Sequence, residues 1–337
     1  MNTPPKENLT TEAIDARIRE LMEQRARLMA GRTNSKKREM LLENDAKDQI
    51  LRDLDSLCRR VVAPNRVAFL GPLYSYTHVA MTRYFGSGVD IAPVATIPGV
   101  FEEVAAGTAD FGVVPIENST DGRVVDALEQ FTHTSVKICG QVAIPIHHVL
   151  MARCARGEIR EVRSKPQALS QCRHWLAAHL PGVPLAECAS TSEAARSAQD
   201  TPGVAAVASS LAAKAYDLNI LVEGIEDQNQ NVTRFVVLGQ NDAPKSRGCK
   251  TTLLFELAHQ PGSLADAMLI FKRNHLNLTW IESFPNVQTP GTYFFFVDFP
   301  GHREELKVRR VLDALGKKVC RLIVLGSYPE AGTSEAG

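Results

Sequence analysis

The stretch NQNVTRFVVLG, residues 229–239, places a hydroxyl and a permanent cation side by side, Thr233 and Arg234, just ahead of the apolar run Phe235, Val236, Val237, Leu238. The run is short, rich in β-branched residues and ended by Gly239, which predicts a central strand of a sheet with both faces covered. In open α/β sheets ligands collect where loops meet strand ends, so Thr233 and Arg234 are candidate site residues. The same pair also fits a solvated strand start, and the stretch alone does not separate the two readings.

Working outward, RVAFLG, DFGVVPIEN, KICGQVAIPIHHVLMA and GVAAVASS read as further strands, and helical patterns lie between them at 76–85, 98–107 and 167–180. This alternation predicts a mostly parallel sheet with helices on both faces. Residues 67–240 are long for one such sheet, so two lobes around a cleft are expected. Beyond the linker NDAPKSRG, residues 250–328 give strand, helix Gly262 to Asn274, two strands, a helix near 303–315 and a last strand. That βαββαβ order is ferredoxin-like. On the N-terminal side, 9–62 lacks proline; Ile14, Ile18, Leu21 and Leu28 mark one helical face, and Met40, Leu41, Ile50, Leu51, Leu54 and Leu57 mark a second after the break AGRTNSKK. Helices with such narrow apolar faces are expected to pack on the rest of the chain or on a second copy.

Composition narrows the function classes. In 337 residues, 44% are hydrophobic and Lys plus Arg equals Asp plus Glu at 38 each. Such a balance argues against binding to nucleic acid or a membrane surface, and favours small molecules or copies of the chain itself. Seven cysteines, an odd number, are scattered without metal-ligand spacing, which fits a reducing compartment. With no signal-like segment and no apolar run of membrane length, a cytoplasmic protein is expected. Neither a metal nor a cofactor is implied: His147 and His148 have no carboxylate or Cys partner at helix-face spacing, and no glycine-rich nucleotide loop occurs.

Three more segments set polar groups at predicted strand-to-helix turns. GPLYSYT puts Ser75, Tyr76 and Thr77 at the start of a helix, whose free N–H groups can hold an anion. VPIENSTDGRV puts Glu117, Asn118, Ser119 and Thr120 after a buried run, and SKPQALSQC sets Gln167 and Gln171 four residues apart on one helix face. Any one of these alone also fits ordinary helix capping.

Together, VAFLGPLYSYTHVA, FGVVPIENSTDG, SKPQALSQC and QNVTRFVVLG resemble the prephenate dehydratase family, in its order and approximate spacing. The resemblance implies a two-lobed, periplasmic-binding-protein-like dehydratase domain at 65–242 that converts prephenate to phenylpyruvate without a cofactor. It implies Thr233 as donor to the leaving hydroxyl, with Glu117 and Asn118 beside it in the catalytic set and Glu117 as a relay. Arg234 holds a carboxylate or braces the cleft, Ser75, Tyr76, Thr77, Ser119 and Thr120 bind anionic groups, Gln171 touches substrate and Phe235 walls the ring. Two positions depart from the family pattern: Tyr74 stands where a glycine is usual, and Lys165 where a histidine is usual.

Segment 249–329 is similar to the regulatory ACT domain of this family, which implies L-phenylalanine as effector. Its sensing motifs map to Pro261, Gly262, Ser263 and Leu264, and to Glu282, Ser283, Phe284 and Pro285, with Phe284 in place of the family's arginine. Residues 1–64 resemble the first two helices of a chorismate mutase through Arg25, Lys36, Lys47 and Asp48, but lack the third, so a packing or dimerisation hairpin is the expectation. A homodimer or homotetramer follows. The alternatives are an arogenate dehydratase, a bifunctional chorismate mutase/prephenate dehydratase, and a non-catalytic sensor. A non-aromatising decarboxylase is disfavoured because Thr233 is kept.

Overall fold

The computed structural model describes residues 10–30, 50–54, 56–58, 65–286, 289 and 291–330. Two compact units emerge, one of 1–64 with 85–89 and one of the remainder. In the first, Thr11–Ala30 is a helix, as its apolar spacing predicts, and 50–54 and 56–58 are helical. Within this unit the turn at 86–88 meets the second helical stretch: Gly88 N–H donates to Ser56 Oγ at 2.9 Å, and a Cβ on Gly88 would overlap the Ser56 carbonyl. Lys36, Lys47 and Asp48, the turn of the expected hairpin and the side chain of Arg25 lie outside the described residues.

The larger unit holds three sheets. The first lobe is built on β1 (Arg66–Leu70), β2 (Asp90–Val94), β3 (Phe111–Asn118), the two-residue β4 (Gly122–Arg123) and β5 (Lys137–Pro145). The second lobe contains β6 (Val149–Ala152), β7 (Glu161–Ser164), β8 (Leu185–Glu187), β9 (Val204–Ala208) and β10 (Asn219–Glu223). The chain then returns through β11 (Val232–Gly239), which inserts between β3 and β5 to give the order β2-β1-β3-β11-β5. The second sheet runs β10-β6-β9-β7-β8.

The expectation of a mostly parallel sheet is corrected. β1 is parallel to β2 and β3, but β11 is antiparallel to both of its neighbours, and β6 is antiparallel to β9 and β10. The cause is the double crossing between lobes: β5 leaves the first lobe and β11 re-enters beside it, so Val232 pairs with Pro145 and the two strands run in opposite directions. The run KICGQVAIPIHHVLMA is accordingly two strands rather than one, interrupted at 146–148 where the chain changes sheets. Pro145 is the local reason, since proline cannot extend a ladder on both sides. The expected helix at 167–180 is likewise divided, into Pro166–Gln171 and Arg173–His179. The helix expected at 76–85 is Tyr76–Phe85, and that at 98–107 is Ile97–Ala105.

The last segment is β12 (Cys249–Leu257), helix Ser263–Arg273, β13 (Trp280–Pro285), β14 (Tyr293–Pro300), helix Leu306–Gly316 and β15 (Arg321–Pro329). Its antiparallel sheet has the order β13-β14-β12-β15, with the first and third strands central, as βαββαβ predicts. Side chains alternate between faces. Leu253, Phe255, Val297 and Phe299 pack on the two helices through Ala267, Phe271, Val308, Val311 and Leu315. Leu254, Phe284, Phe294, Phe296 and Tyr328, from the other face, join a core that includes Ile116, Ile138, Val236 and Leu238 of the first lobe. The small sheet is thus one wall of the first lobe's core rather than a separately closed domain. The approach is close enough that a Cβ on Gly326 of β15 would overlap the Ile138 carbonyl of β5.

Candidate active site

A cleft of about 810 Å³ opens where the carboxyl end of β3 and the amino end of β11 face the second lobe. Thr233, Phe235 and Asn118 line it from the first lobe, together with Ser75, Tyr76 and Thr77; Lys165, Gln167 and Gln171 line it from the second. The volume is within the range of small-molecule sites.

Thr233 is placed by β-strand periodicity: it and Phe235 face the cleft, and the residue between them faces away. Thr233 is only 8% exposed, and its Oγ1 accepts from Asn118 Nδ2 at 2.7 Å. Asn118 Oδ1 in turn accepts the backbone N–H groups of Thr120 (2.9 Å) and Asp121 (3.1 Å). This fixes the amide, because an oxygen must face those two donors and the nitrogen must then face Thr233. A hydroxyl that accepts from Asn118 has its own proton free for a third group. The pair is therefore set as a donor directed at whatever occupies the cleft.

Several expected contacts fall elsewhere. Arg234 is turned to the rear of β11, where its guanidinium donates to Asp298 of β14 and lies 4.4 Å from the centre of the Trp280 ring. It does not line the cleft, and of its two expected roles the geometry fits bracing by a charge-assisted pair rather than contact with a carboxylate. Glu117 follows the same alternation on β3: its carboxylate lies 3.2 Å from Arg234 Nε, without the alignment of a hydrogen bond, so it cannot relay a proton to Thr233 from there. Asp298 is fully buried, and burial pushes its carboxyl up, but Arg234 and Lys250 more than offset this and hold it below its ordinary value. Lys250 Nζ is 2.7 Å from Asp298, and Thr252 donates to the same carboxylate at 2.6 Å. Ser119 and Thr120 also leave the cleft wall: Ser119 N donates to Val232 O and Ser119 Oγ accepts from Val232 N, both at 2.9 Å, and Thr120 serves the Asn118 turn through its backbone.

Two residues went unassigned on the sequence. Asp121, on the turn after β3, accepts from Gln171 Nε2 at 3.0 Å and from Gln167 Nε2, tying the lobes across the cleft mouth. His148, in the crossing between lobes and only 2% exposed, lies 2.9 Å from Gln171 Oε1 through Nε2 and 3.1 Å from the Tyr76 hydroxyl through Nδ1. Burial lowers the His148 pKa and raises that of Tyr76 well above the ordinary phenol value. The proline inside PIHH was the one sequence sign that the strand ends there and exposes its histidines to a junction.

Tyr74, in the usual place of a glycine, has φ of 66°. That left-handed conformation costs a non-glycine residue about 1–2 kcal/mol. Offsetting contacts come from Tyr216, edge-on at 5.5 Å, and from His78, whose Nδ1 accepts the Tyr74 N–H at 2.9 Å. Burial lowers the pKa of His78, consistent with that accepting role.

In the small sheet, Ser263 and Leu264 line a hollow of about 120 Å³ with Leu257, His259, Gln260 and Tyr293. Pro261 and Gly262 form the turn before them, Gly262 at φ of 86°. The other expected sensing motif divides between faces of β13. Phe284 is buried in the core shared with the first lobe and Glu282 pairs with Arg123 at 3.2 Å, whereas Ser283 and Pro285 are exposed. Phe284 is thus a packing residue, and none of these four lines the hollow.

A family model described as prephenate dehydratase matches residues 67–243. The bifunctional chorismate mutase/prephenate dehydratase of Pseudomonas aeruginosa is 39% identical over 292 residues, 86% of this chain and 80% of that one. Its counterpart from Aquifex aeolicus is 41% identical over 283 residues, covering 84% and 78%. Among solved structures, prephenate dehydratase from Arthrobacter aurescens in complex with L-Phe superimposes with a TM-score of 0.74 at 32% identity, covering 81% of this chain and 92% of that one.

Proposed function

We propose that this chain, which belongs to the prephenate dehydratase family, converts prephenate to phenylpyruvate in the cleft at Thr233. The reaction breaks two bonds. The pair in the C–CO₂⁻ bond moves into the ring as carbon dioxide leaves, and the ring hydroxyl departs with its own pair and takes up a proton as water. Aromatisation supplies the driving force, so the protein needs to supply a donor to the departing oxygen and a rigid hold on two carboxylates.

The observation that carries this reading is the Asn118–Thr233 bond of 2.7 Å, which leaves the Thr233 proton directed away from Asn118. A threonine hydroxyl is a weak acid in water, and its use here rests on being positioned and largely withdrawn from solvent. Lys165 is the one lysine or arginine among the lining residues and is the contact for one carboxylate. The start of helix Tyr76–Phe85, whose first residues line the same cleft, offers N–H groups that complement it. Phe235 forms the wall for the ring. Absorbance-monitored phenylpyruvate formation from prephenate tests the assignment. The parent is expected to turn over and Thr233→Ala to lose nearly all of that rate while still binding prephenate; unchanged turnover in the variant would remove Thr233 from the chemistry.

Residues 249–329 act in this reading as an ACT-type regulatory domain that takes L-phenylalanine at the hollow beside Ser263 and Leu264. The left-handed Gly262 turn and the helix start at Ser263 support an amino-acid site there. Since Phe284 packs inward and β13 does not line the hollow, the effector's contacts come from Ser263 and Leu264 with His259, Gln260 and Tyr293. Phenylalanine titrated into the same assay is expected to change the rate. Residues 1–64 serve packing or dimerisation, and the assembly is a homodimer or homotetramer.

A further inference from the structure

The proposed substrate carries two negative charges, and the charged residues lining the cleft do not match it. Lys165 and Asp126 are the lysine and the carboxylate among the lining residues, and their formal charges cancel. Arg234, the cation expected to help, is committed to Asp298 at the rear of the strand. The remaining ionisable side chains of the lining are Tyr76, whose buried phenol holds its proton, and His148.

The hydrogen bonds around His148 show which protonation state its surroundings favour. Asp121 Oδ2 accepts from Gln171 Nε2 at 3.0 Å, which turns the Gln171 carbonyl oxygen toward His148. Nε2 of His148, at 2.9 Å from that oxygen, therefore carries a hydrogen. On the other side, Tyr76 donates to the His147 carbonyl at 2.6 Å, and a phenol has a single proton to give. His148 Nδ1 lies 3.1 Å from the same phenol oxygen. With His148 neutral and Nε2 protonated, either Nδ1 or the His147 carbonyl faces the phenol oxygen with no hydrogen between them. With both ring nitrogens protonated, every pair has one donor and one acceptor, from His147 O through Tyr76, His148 and Gln171 to Asp121.

We propose that His148 is a second positive charge of the cleft, taking up a proton as the dianionic substrate enters. The proposal rests on the dehydratase reading above. Burial alone opposes charge on His148 through desolvation. Facing His148 are Tyr76 from its helix, His147 beside it, and Glu226, which accepts the His148 backbone N–H at 2.9 Å and pairs with His147 Nδ1 at 2.8 Å. Asp121 acts through Gln171, while Lys165 and Asp126 share the cavity. Adding two carboxylates to this set shifts the balance to imidazolium, since an opposite charge within about 4–6 Å raises a histidine pKa by about 1–3 units. The sign follows from linkage. Binding is strongest below the free-state pKa, weakens by up to about tenfold per pH unit between the free and bound values, and is level above the bound value.

Calorimetry of prephenate binding to full-length Thr233→Ala at pH 7, in phosphate and in Tris, reads the proton directly. The expected result is a binding enthalpy that depends on the buffer and corresponds to uptake of a substantial fraction of one proton. Adding His148→Gln, which keeps a hydrogen-bonding amide, is expected to remove that dependence. In the parent, kcat/KM for prephenate is expected to fall as pH rises above the free-state pKa of His148, an independent readout that needs no substitution. Buffer-independent enthalpy, or uptake that survives His148→Gln, would overturn the role of His148 while leaving the dehydratase intact. A folded parent that does not turn over prephenate would instead overturn the underlying reading, and this proposal with it.

Discussion

On β11, Thr233 turns its hydroxyl to Asn118 in the cleft, while Arg234, one residue further, turns its guanidinium to Asp298 and Trp280 of the small sheet. The front of the strand is a place for a ligand: its polar atoms are paired on one side only, and space lies on the other. The rear is closed, with one fully buried carboxylate shared by Arg234, Lys250 and Thr252. Neighbouring residues of similar polarity thus serve chemistry in one case and cohesion between sheets in the other. Strand alternation alone makes the division.

The sharpest way to break this contrast is to remove each side in turn. Thr233→Ala is expected to lower kcat by about 10²–10⁴-fold with little change in unfolding midpoint, because a positioned donor is lost and a small buried side chain is only trimmed. Asp298→Asn is expected to do the reverse first: stability falls by about 3–5 kcal/mol in denaturant titration, since two buried cations lose their counter-charge. Its pH dependence checks the cause. The folded Asp298 pKa is depressed, so its contribution is present above the unfolded value of about 4 and is lost as pH falls through the lower folded value. The asparagine variant should lack that acid-range loss.

Finer tests concern the front face alone. Asn118→Ala removes the bond that orients Thr233 and also leaves the Thr120 and Asp121 N–H groups unpaired, so a fall in kcat of about 10–100-fold is expected. A rise in KM alone, with kcat kept, would show that Asn118 holds substrate rather than Thr233. The smallest effect is expected at Tyr74→Gly, where relief of the left-handed backbone, about 1–2 kcal/mol, is set against lost contact with Tyr216 and His78. The two contributions nearly cancel, and thermal unfolding should shift by only a few degrees in either direction.

Much of this was legible in the sequence where local pattern carries the information. The buried run after Thr233 does make a central strand, the helix after GPLYS does begin at Tyr76, and βαββαβ does form the expected antiparallel sheet. Thr233, Asn118, Gln171 and Phe235 all meet in one cleft. What failed depended on neighbours far along the chain. Arg234 and Glu117 are near Thr233 and Asn118 in sequence, but the period of two sends them to a face whose partner, Asp298, lies 64 residues after Arg234. Phe284 reads as a changed sensing residue until Leu254, Phe294 and Phe296 are seen beside it in a shared core. The parallel sheet failed for a topological reason, because only a chain that leaves and re-enters a lobe can set β11 against both β3 and β5. His148 was hidden for the same reason, inside an apolar run that changes sheets midway.

Gly326 has a bearing on how such a protein can be recombined. Small sheet-and-helix units of this size are often treated as cassettes joined by a tether, to be exchanged at the connection that spans 243–248. Here the incoming module would have to present a position with no side chain where β15 crosses the Ile138 carbonyl, and an apolar sheet face matched to Ile116, Val236 and Leu238. A donor cassette chosen without regard to these two features would lack both, and the seam would decide whether the chimera holds together.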